Sequence, residues 1–339
     1  MLLALLADLA QLPNVSLCTT WDARLGRFPF EGARPSEPRV ASASSQTTGD
    51  DTCPIDWTSI ESPLDESAAF RRLAADSDFT YIIAPELGDL LTRRCLAVAD
   101  LGRNSLNSSV DAIQICSDKW ETFRRLSHAG IPTVATTRLE PHAATEELEF
   151  PVVIKPRYGA GSTDTFLVRC HDESRSATAR FPSDTPTTEA VIQPYVAGRA
   201  LSVGAIFRTD GALREVWPAA EQHLSEDGRF TYVGGTIPSD DTLDSSVSNL
   251  ISQISDRIPG LRGYVGFDLI LPGHRGAQPL IVDINPRLTT SYLGYRAISG
   301  KNLAGRILWP DHEWPQPDWR RSFVVFGADG EIQQLPSAT

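Results

Sequence analysis

The sequence predicts a chain of mixed α/β and α+β architecture in more than one domain, and three stretches carry that prediction. Helices and strands alternate through residues 1–115, the pattern of a layered α/β domain. Further on, Phe150-Pro-Val-Val-Ile-Lys-Pro156 and Phe166 to Arg169 read as strands flanking a Gly-rich turn. Last, Gly266 to Leu271 and Leu280 to Ile284 read as strands joined by Pro272-Gly-His-Arg-Gly-Ala-Gln-Pro279. A length of 339 residues leaves room for two or three ordinary domains.

Composition narrows the function classes. A net charge of -12 argues against a nonspecific grip on nucleic acid or anionic membranes, though a local basic pocket remains open. Five scattered cysteines form no C-x-x-C pair, and the six histidines show no ligand spacing. Reduced thiols in a cytoplasmic protein are the expectation.

Leu2 to Ala10 reads as an amphipathic helix with Leu2, Leu5, Leu6 and Leu9 on one face. Asp8 interrupts this apolar start and no basic run precedes it, so it reads neither as a bilayer span nor as a signal peptide. Val15 to Thr19 follows as a strand. Layered domains open with a strand, so the helix-first order predicts that a first strand is missing. Arg34 to Asp51 reads as a polar loop, Ile55 to Ile60 as a strand and Ser67 to Ala75 as a helix. Thr80 to Pro85 reads as a buried strand and Leu87 to Ala99 as a helix. Glu86, at that strand's carboxyl end, stands where open α/β sheets bind ligands. It fits equally well as an acid at a helix N-terminus.

Ser117 to Gly130 reads as a helix with Ser117 as its N-cap and Gly130 as its stop. Lys119 falls in its first turn, where the dipole disfavours a cation, which hints at an anion to hold. Ala190 to Val196 is an apolar strand interrupted by Pro194, which cannot serve a central ladder. Leaving the sheet there would free backbone groups to read an adenine edge. Ala200 to Phe207 and Leu213 to Pro218 read as strands, and Gln222 to Gly235 as a polar, Gly-rich active-site loop. Ser245 to Ile258 and Asn302 to Leu308 read as helices, and Ser322 to Phe326 as a final strand.

The residues already suggest chemistry. Asp283 sits inside the apolar run Leu280-Ile-Val-Asp-Ile284, and a buried carboxylate is costly unless paired or metal-bound. The paired strands can bring Asp268, Asp283 and Asn285 to one sheet end. Hard oxygen ligands beside phosphates are what Mg²⁺ requires. Asp and Asn are also common at hairpin ends for turn reasons alone. Lys155 ends an apolar strand, so it must find an anion or lower its pKa. The turn after it, Arg157-Tyr-Gly-Ala-Gly-Ser-Thr-Asp164, offers free N–H groups to phosphates. Neither a Walker A loop nor a Rossmann fingerprint fits it.

Read jointly, these motifs resemble a known superfamily. Lys119 precedes Gly130-Ile-Pro-Thr133; Lys155 and its Gly-rich turn follow; then come Gln193-Pro-Tyr-Val-Ala-Gly198, Ser202-Val203, Gly266-Phe-Asp268 and Asp283-Ile-Asn-Pro-Arg287. The order is similar to that of the ATP-grasp carboxylate–amine ligases over roughly residues 115 to 310. The resemblance implies two α+β lobes clamping the nucleotide after an incomplete Rossmann-like pre-grasp layer. The expected partition is 1–115 pre-grasp, 116–196 N-lobe, 197–310 C-lobe with the metal site and 311–339 a C-terminal extension.

It also implies roles. Lys119 and Lys155 would contact phosphates, and Gly159, Ala160, Gly161 and Ser162 would form the loop over them. Gln193, Tyr195 and Val196 would line the adenine pocket. Asp268, Asp283 and Asn285 would hold Mg²⁺ or Mn²⁺, and Arg287, with Lys155, would serve the transferred phosphoryl group. Relatives place a ribose-binding glutamate where Arg199 and Ala200 stand here. The run from Asp283 to Arg296 is similar to that of the tyramine–glutamate ligases of methanofuran biosynthesis. In that case Arg296, Thr289 and Ser291 would bind the carboxylate substrate. Arg296 also fits a surface helix position with an acidic partner. ATP and small-molecule carboxylate and amine substrates are implied, in a homodimer or a monomer. Other ligases of the superfamily, of dipeptide or D-alanine–D-alanine type, and a silent nucleotide-binding module are the alternatives.

Overall fold

In the computed structural model the described residues are 1–30, 33–35, 55–139, 148–181, 189–237, 244–319 and 323–334. The loop expected over Arg34 to Asp51 lies, beyond Pro35, outside them. The first helix, α1 (Leu2–Leu9), buries Leu5 and Leu6. Strands β1 (Leu17–Asp22), β2 (Arg34–Pro35) and β3 (Ile55–Ile60) pair in parallel in the order β1-β3-β2. Ser62 caps α2 (Pro63–Asp76) by accepting from the Asp65 N–H.

Thr80 to Pro85 departs from the expected strand. Only β4 (Phe79–Thr80) is laddered, parallel to β5 (Asn104–Ser105), with α3 (Leu90–Asp100) between them. Beyond Thr80 a side chain replaces the neighbouring strand: the Ile82 N–H donates to Asn107 Oδ1 and Asn107 Nδ2 donates to the Ile82 carbonyl, both at 2.9 Å. A carboxamide carries the same donor–acceptor pair as a peptide, so both backbone groups of Ile82 are satisfied.

Ser117 likewise does not cap the next helix. It ends α4 (Val110–Ser117), donating to the Ile113 carbonyl at 2.8 Å. Asp118 caps α5 (Lys119–His128), accepting from the N–H groups of Trp120 and Glu121. A carboxylate here also answers the positive end of the helix dipole. Gly130 ends the helix as expected, with φ at 71°.

A four-stranded antiparallel sheet follows: β6 (Thr137–Arg138), β7 (Val152–Pro156), β8 (Phe166–Val168) and β9 (Ala190–Pro194), in the order β6-β9-β7-β8. Helix α6 (His171–Thr178), absent from the sequence reading, lies between β8 and β9. The chain leaves this sheet at Pro194 and enters the larger one at Gly198. That sheet takes β10 (Gly198–Phe207), β11 (Leu213–Val216), β12 (Ala220–Leu224) and β13 (Tyr232–Ile237). After α7 (Asp244–Ser252) come β14 (Gly263–Pro272), β15 (Leu280–Asn285), α8 (Tyr292–Ile298), α9 (Ala304–Leu308), β16 (Val324–Gly327) and β17 (Ile332–Gln334). The order is β15-β14-β10-β12-β13-β16-β17, with β11 beside β10.

Two expectations change here. Gln222 to Gly235 is a hairpin, β12–β13, not a loop. Its glycines lowered the strand signal, yet they serve packing: a Cβ at Gly234 would lie 2.2 Å from the Phe326 carbonyl oxygen on β16. Residues 324–334 also do not stand apart as an extension, because β16 pairs with β13.

Both faces of the large sheet are covered. Leu201, Val203, Ala205 and Phe207 alternate onto one face, against Val247, Leu250 and Ile251 of α7 and Ala112 and Cys116 of α4. Ile206 points the other way, toward Trp217, Tyr264, Tyr292, Tyr295 and Leu5. Among the described residues, Cys18, Cys95, Cys116 and Cys170 are free thiols. No helix among them is long and apolar enough to cross a membrane.

Packing is close beneath the site. A Cβ on Gly266 would fall 2.2 Å from Thr289 Cγ2. Gly266→Ala should therefore destabilise the fold by ~1–3 kcal/mol, read as a lowered melting temperature. An unchanged melt would show that Thr289 gives way freely.

Candidate active site

Between the two sheets lies a cleft of about 340 Å³. Three pieces of local structure aim charged groups into it. Strands β14 and β15 pair so that Asp268 faces Asp283 and Gly266 faces Asn285, with a register shift just after Asp268. Strand β7 ends by delivering Lys155, buried at 8% exposure. Helix α5 begins with Lys119, also buried, because Asp118 caps it at that point.

The polar contacts are dense. Lys119 Nζ donates to the Gly159 carbonyl at 2.8 Å and lies 3.0 Å from Asp283 Oδ2. Asn285 Nδ2 donates to Asp268 Oδ2 at 2.8 Å, and Gln222 Nε2 to Asp268 Oδ1 at 2.9 Å. Burial, followed by the neighbouring Asp283 charge, pushes Asp268 up to about 6. A cation arriving below that pH must displace a proton. Burial and the nearby Lys119 charge pull Lys155 down to about 8, against the opposing pull of Asp283 and Asp268.

The Gly-rich turn lies along the cleft, with Gly159, Ala160, Gly161 and Ser162 in its wall. Ser162 and Asp164 hold φ at 61° and 48°, a left-handed conformation that side-chain-bearing residues adopt at some strain. Asp118 anchors the turn's start, accepting from Arg157 Nε at 2.8 Å and from Arg157 Nη2 at 2.6 Å. At the other end, Gln193 lines the cleft; it is buried and its Nε2 donates to Thr136 Oγ1 at 2.9 Å. Tyr195 is half-exposed and stacks on Phe230, centroids 6.3 Å apart. The expectation of free hinge amides changes in one place: the Tyr195 N–H donates to the Pro151 carbonyl at 2.9 Å. Val196 and Ala200 complete that wall, while Arg199 pairs with Glu221 at 3.2 Å.

Thr289 and Ser291 line the cleft's far side. Thr289 Oγ1 is 2.7 Å from the Tyr264 hydroxyl, and Ser291 Oγ donates to Ser202 Oγ at 2.9 Å. Arg287 reaches the same end. Burial opposes its charge, but the carboxylates of Glu86, Asp268 and Asp283 outweigh that and hold it above its ordinary value. Arg296 does not join them. It lies outside the cleft wall, with Nε 2.7 Å from Asp8 Oδ1 on α1. The turn of α8 that buries Tyr292 and Tyr295 points it toward the N-terminal helix instead.

Sequence reading assigned no individual role to Asp118, Gln222 or Ser202 and no partner to Glu86. Asp118 was legible as a second cap candidate beside Ser117; the others depend on long-range pairing.

The donor set suits a divalent cation. Two carboxylates stand at paired register positions, the Asp283 charge adds to the cost of ionising Asp268, and the Asn285 side chain adjoins Asp268. Among the described residues no group of three or more His, Cys, Asp or Glu gathers around an ion. The remaining ligands would be phosphate oxygens and water, which is how Mg²⁺ is usually held.

Comparisons with known proteins bear on the family. A family model described as an ATP-grasp domain matches residues 116–291, and one described as a pre ATP-grasp 3 domain matches residues 38–113. Tyramine–L-glutamate ligase of Methanocaldococcus fervens is 24% identical over 221 residues, 65% of this chain and 62% of the relative. D-alanine–D-alanine ligase of Francisella tularensis is 24% identical over 203 residues, 58% of this chain and 66% of the relative. The chain thus spans less than two thirds of the length of these curated relatives. An ATP-grasp superfamily protein from Archaeoglobus fulgidus shares the fold at a TM-score of 0.58 and 23% identity, covering 84% of this chain and 79% of that one. The L-amino acid ligase of Bacillus licheniformis shares it at 0.64 and 15% identity, over 80% and 68%. The domain match takes in more than half of the chain, including both lysines, the Gly-rich turn and the Asp268–Asp283 pair, and the chain belongs to the ATP-grasp family.

Proposed function

We propose that the protein is an ATP-dependent carboxylate–amine ligase that forms an amide through an acyl phosphate. The observation that carries this is the convergence of Lys119, Lys155, Arg287 and the Asp268–Asp283 pair on one cleft, beneath a Gly-rich turn. Lys119 and Lys155 hold the phosphates, and the turn from Gly159 to Ser162 lies over them. Gln193, Tyr195 and Val196 receive the base. A divalent cation bound by Asp268, Asp283 and Asn285 would neutralise charge on the phosphate oxygens.

A substrate carboxylate oxygen attacks the γ-phosphorus roughly in line, and ADP departs. The amine nitrogen then attacks the carbonyl carbon, phosphate leaves and the amine gives up a proton. The protein's contribution is placement and charge stabilisation. Thr289 and Ser291, beside Arg287, form the end of the cleft that receives the carboxylate. The turn keeps water from the acyl phosphate, which would otherwise hydrolyse.

Within this class we take a small amino acid and a small amine as substrates, in the cytoplasm, and the pair tyramine and L-glutamate as the first to try. The relatives of that activity and the run from Asp283 to Arg296 support it. The test is ADP release from ATP and Mg²⁺ with tyramine and L-glutamate, then with D-alanine and with pairs of L-amino acids. Release that requires both an amine and a carboxylate supports a ligase, and the productive pair fixes its type. Tight ATP binding with no release from any pair would mark a silent nucleotide-binding module and end this reading.

A further inference from the structure

Glu86 lies in the N-terminal layer, yet its carboxylate is only 5% exposed and faces the end of β15. Arg287 Nε lies 3.0 Å from Glu86 Oε1 and 3.1 Å from Oε2, and Nη2 donates to Oε2 at 3.0 Å. This is a fork-on-carboxylate pair, the geometry that fixes both direction and distance. It joins residues 201 positions apart. Glu86 precedes a short 3₁₀ turn, Leu87–Asp89, in which Gly88 and Asp89 both take φ of 57°.

We propose that Glu86 is a positioning residue that aims Arg287 at the terminal phosphate of the nucleotide. The inference rests on the nucleotide reading of the cleft. A guanidinium has five N–H donors. Glu86 takes the one on Nε and one on Nη2, and the Leu288 carbonyl takes one on Nη1 at 3.3 Å. One donor on each terminal nitrogen is left, outside the Nε–Nη2 edge that Glu86 holds. Arg287 lines the cleft, where those two donors would meet the oxygens of a phosphoryl group. Glu86 also answers a competing pull. Asp268 and Asp283 act electrostatically on the same guanidinium, and Glu86 is the carboxylate it is hydrogen-bonded to. A carboxylate contributed by the N-terminal layer thus sets the geometry of a residue in the C-terminal sheet.

The experiment compares the dissociation constants of ADP and of a non-hydrolysable ATP analogue, each with Mg²⁺, by calorimetry. Their ratio isolates the terminal phosphate and needs no knowledge of the other substrates. Glu86→Gln should reduce the wild-type preference for the triphosphate by about tenfold or more, the scale of a lost charge-assisted contact. Arg287→Met should do the same, and Glu86→Gln added to Arg287→Met should reduce the ratio no further. Glu86→Asp, which keeps the charge but shortens the arm, should also lower it and serves if Glu86→Gln does not fold. A ratio within twofold of wild type in a folded Glu86 variant overturns the proposal. So does a further loss in the double variant, since Glu86 would then act other than through Arg287. If the wild type binds neither nucleotide, the nucleotide reading itself fails, a different result from either of these.

Discussion

Asp283→Ala should yield a folded protein whose ADP release falls by at least about 10³-fold, equivalent to ~4 kcal/mol of transition-state stabilisation. Asp283 has two tasks in the cleft. It sits opposite Asp268 in the strand register, where under the proposed function it would supply one of two carboxylates for a divalent cation. It also lies 3.0 Å from Lys119 Nζ, so it helps hold that lysine in place before nucleotide arrives. Removing it leaves Lys119 its Gly159 carbonyl contact, so the start of α5 should persist. The fold should tolerate the change because the side chain lies in the open wall of the cleft. Steady-state ADP release, with a melting curve as control, checks both halves. Asp283→Asn, which keeps the shape and drops the charge, should be nearly as inactive. Wild-type-like rates in either variant would remove the cation site from the mechanism.

The cleft was more legible in the sequence than the layer before it, for physical reasons. Lys155, Asp268 and Asp283 each place a charge within an apolar strand, and burying an uncompensated charge is costly enough that few alternatives exist. Asn107 left no such mark. Its role is to complete the hydrogen bonds of Ile82, and nothing local distinguishes it from a turn asparagine. The hairpin β12–β13 was hidden by its glycines, which reflect the close approach of β16 from ninety residues later. Arg296 shows the opposite failure. A motif suggested a substrate contact, but its direction is set by how α8 packs, and α8 turns it toward Asp8. Glu86 carried two readings, sheet-end ligand and helix-start acid. Its burial against Arg287 favours neither in its simple form.

Lys155→Ala should raise the apparent KM for ATP by about 10- to 100-fold, since a buried ammonium contact to phosphate is worth roughly 1.5–3 kcal/mol. Its titration supplies a second, independent signature. Burial holds Lys155 near 8 in the folded protein, against 10.5 for an ordinary lysine. Between those values the unfolded chain keeps a proton that the folded protein has released, so stability contributed by this group rises with pH across that window. Below about 8 both states hold the proton and the group's penalty is fully present. ATP reverses the balance, because phosphate oxygens favour the ammonium form. Nucleotide binding above about pH 8 should therefore take up a proton, and affinity should decline as pH rises through that point. Calorimetry in buffers of different ionisation enthalpy reads the proton uptake directly. Lys155→Ala should abolish both the uptake and the decline. If the variant keeps the wild-type KM and the wild-type pH profile, Lys155 does not touch the nucleotide, and the phosphates must lie elsewhere in the cleft.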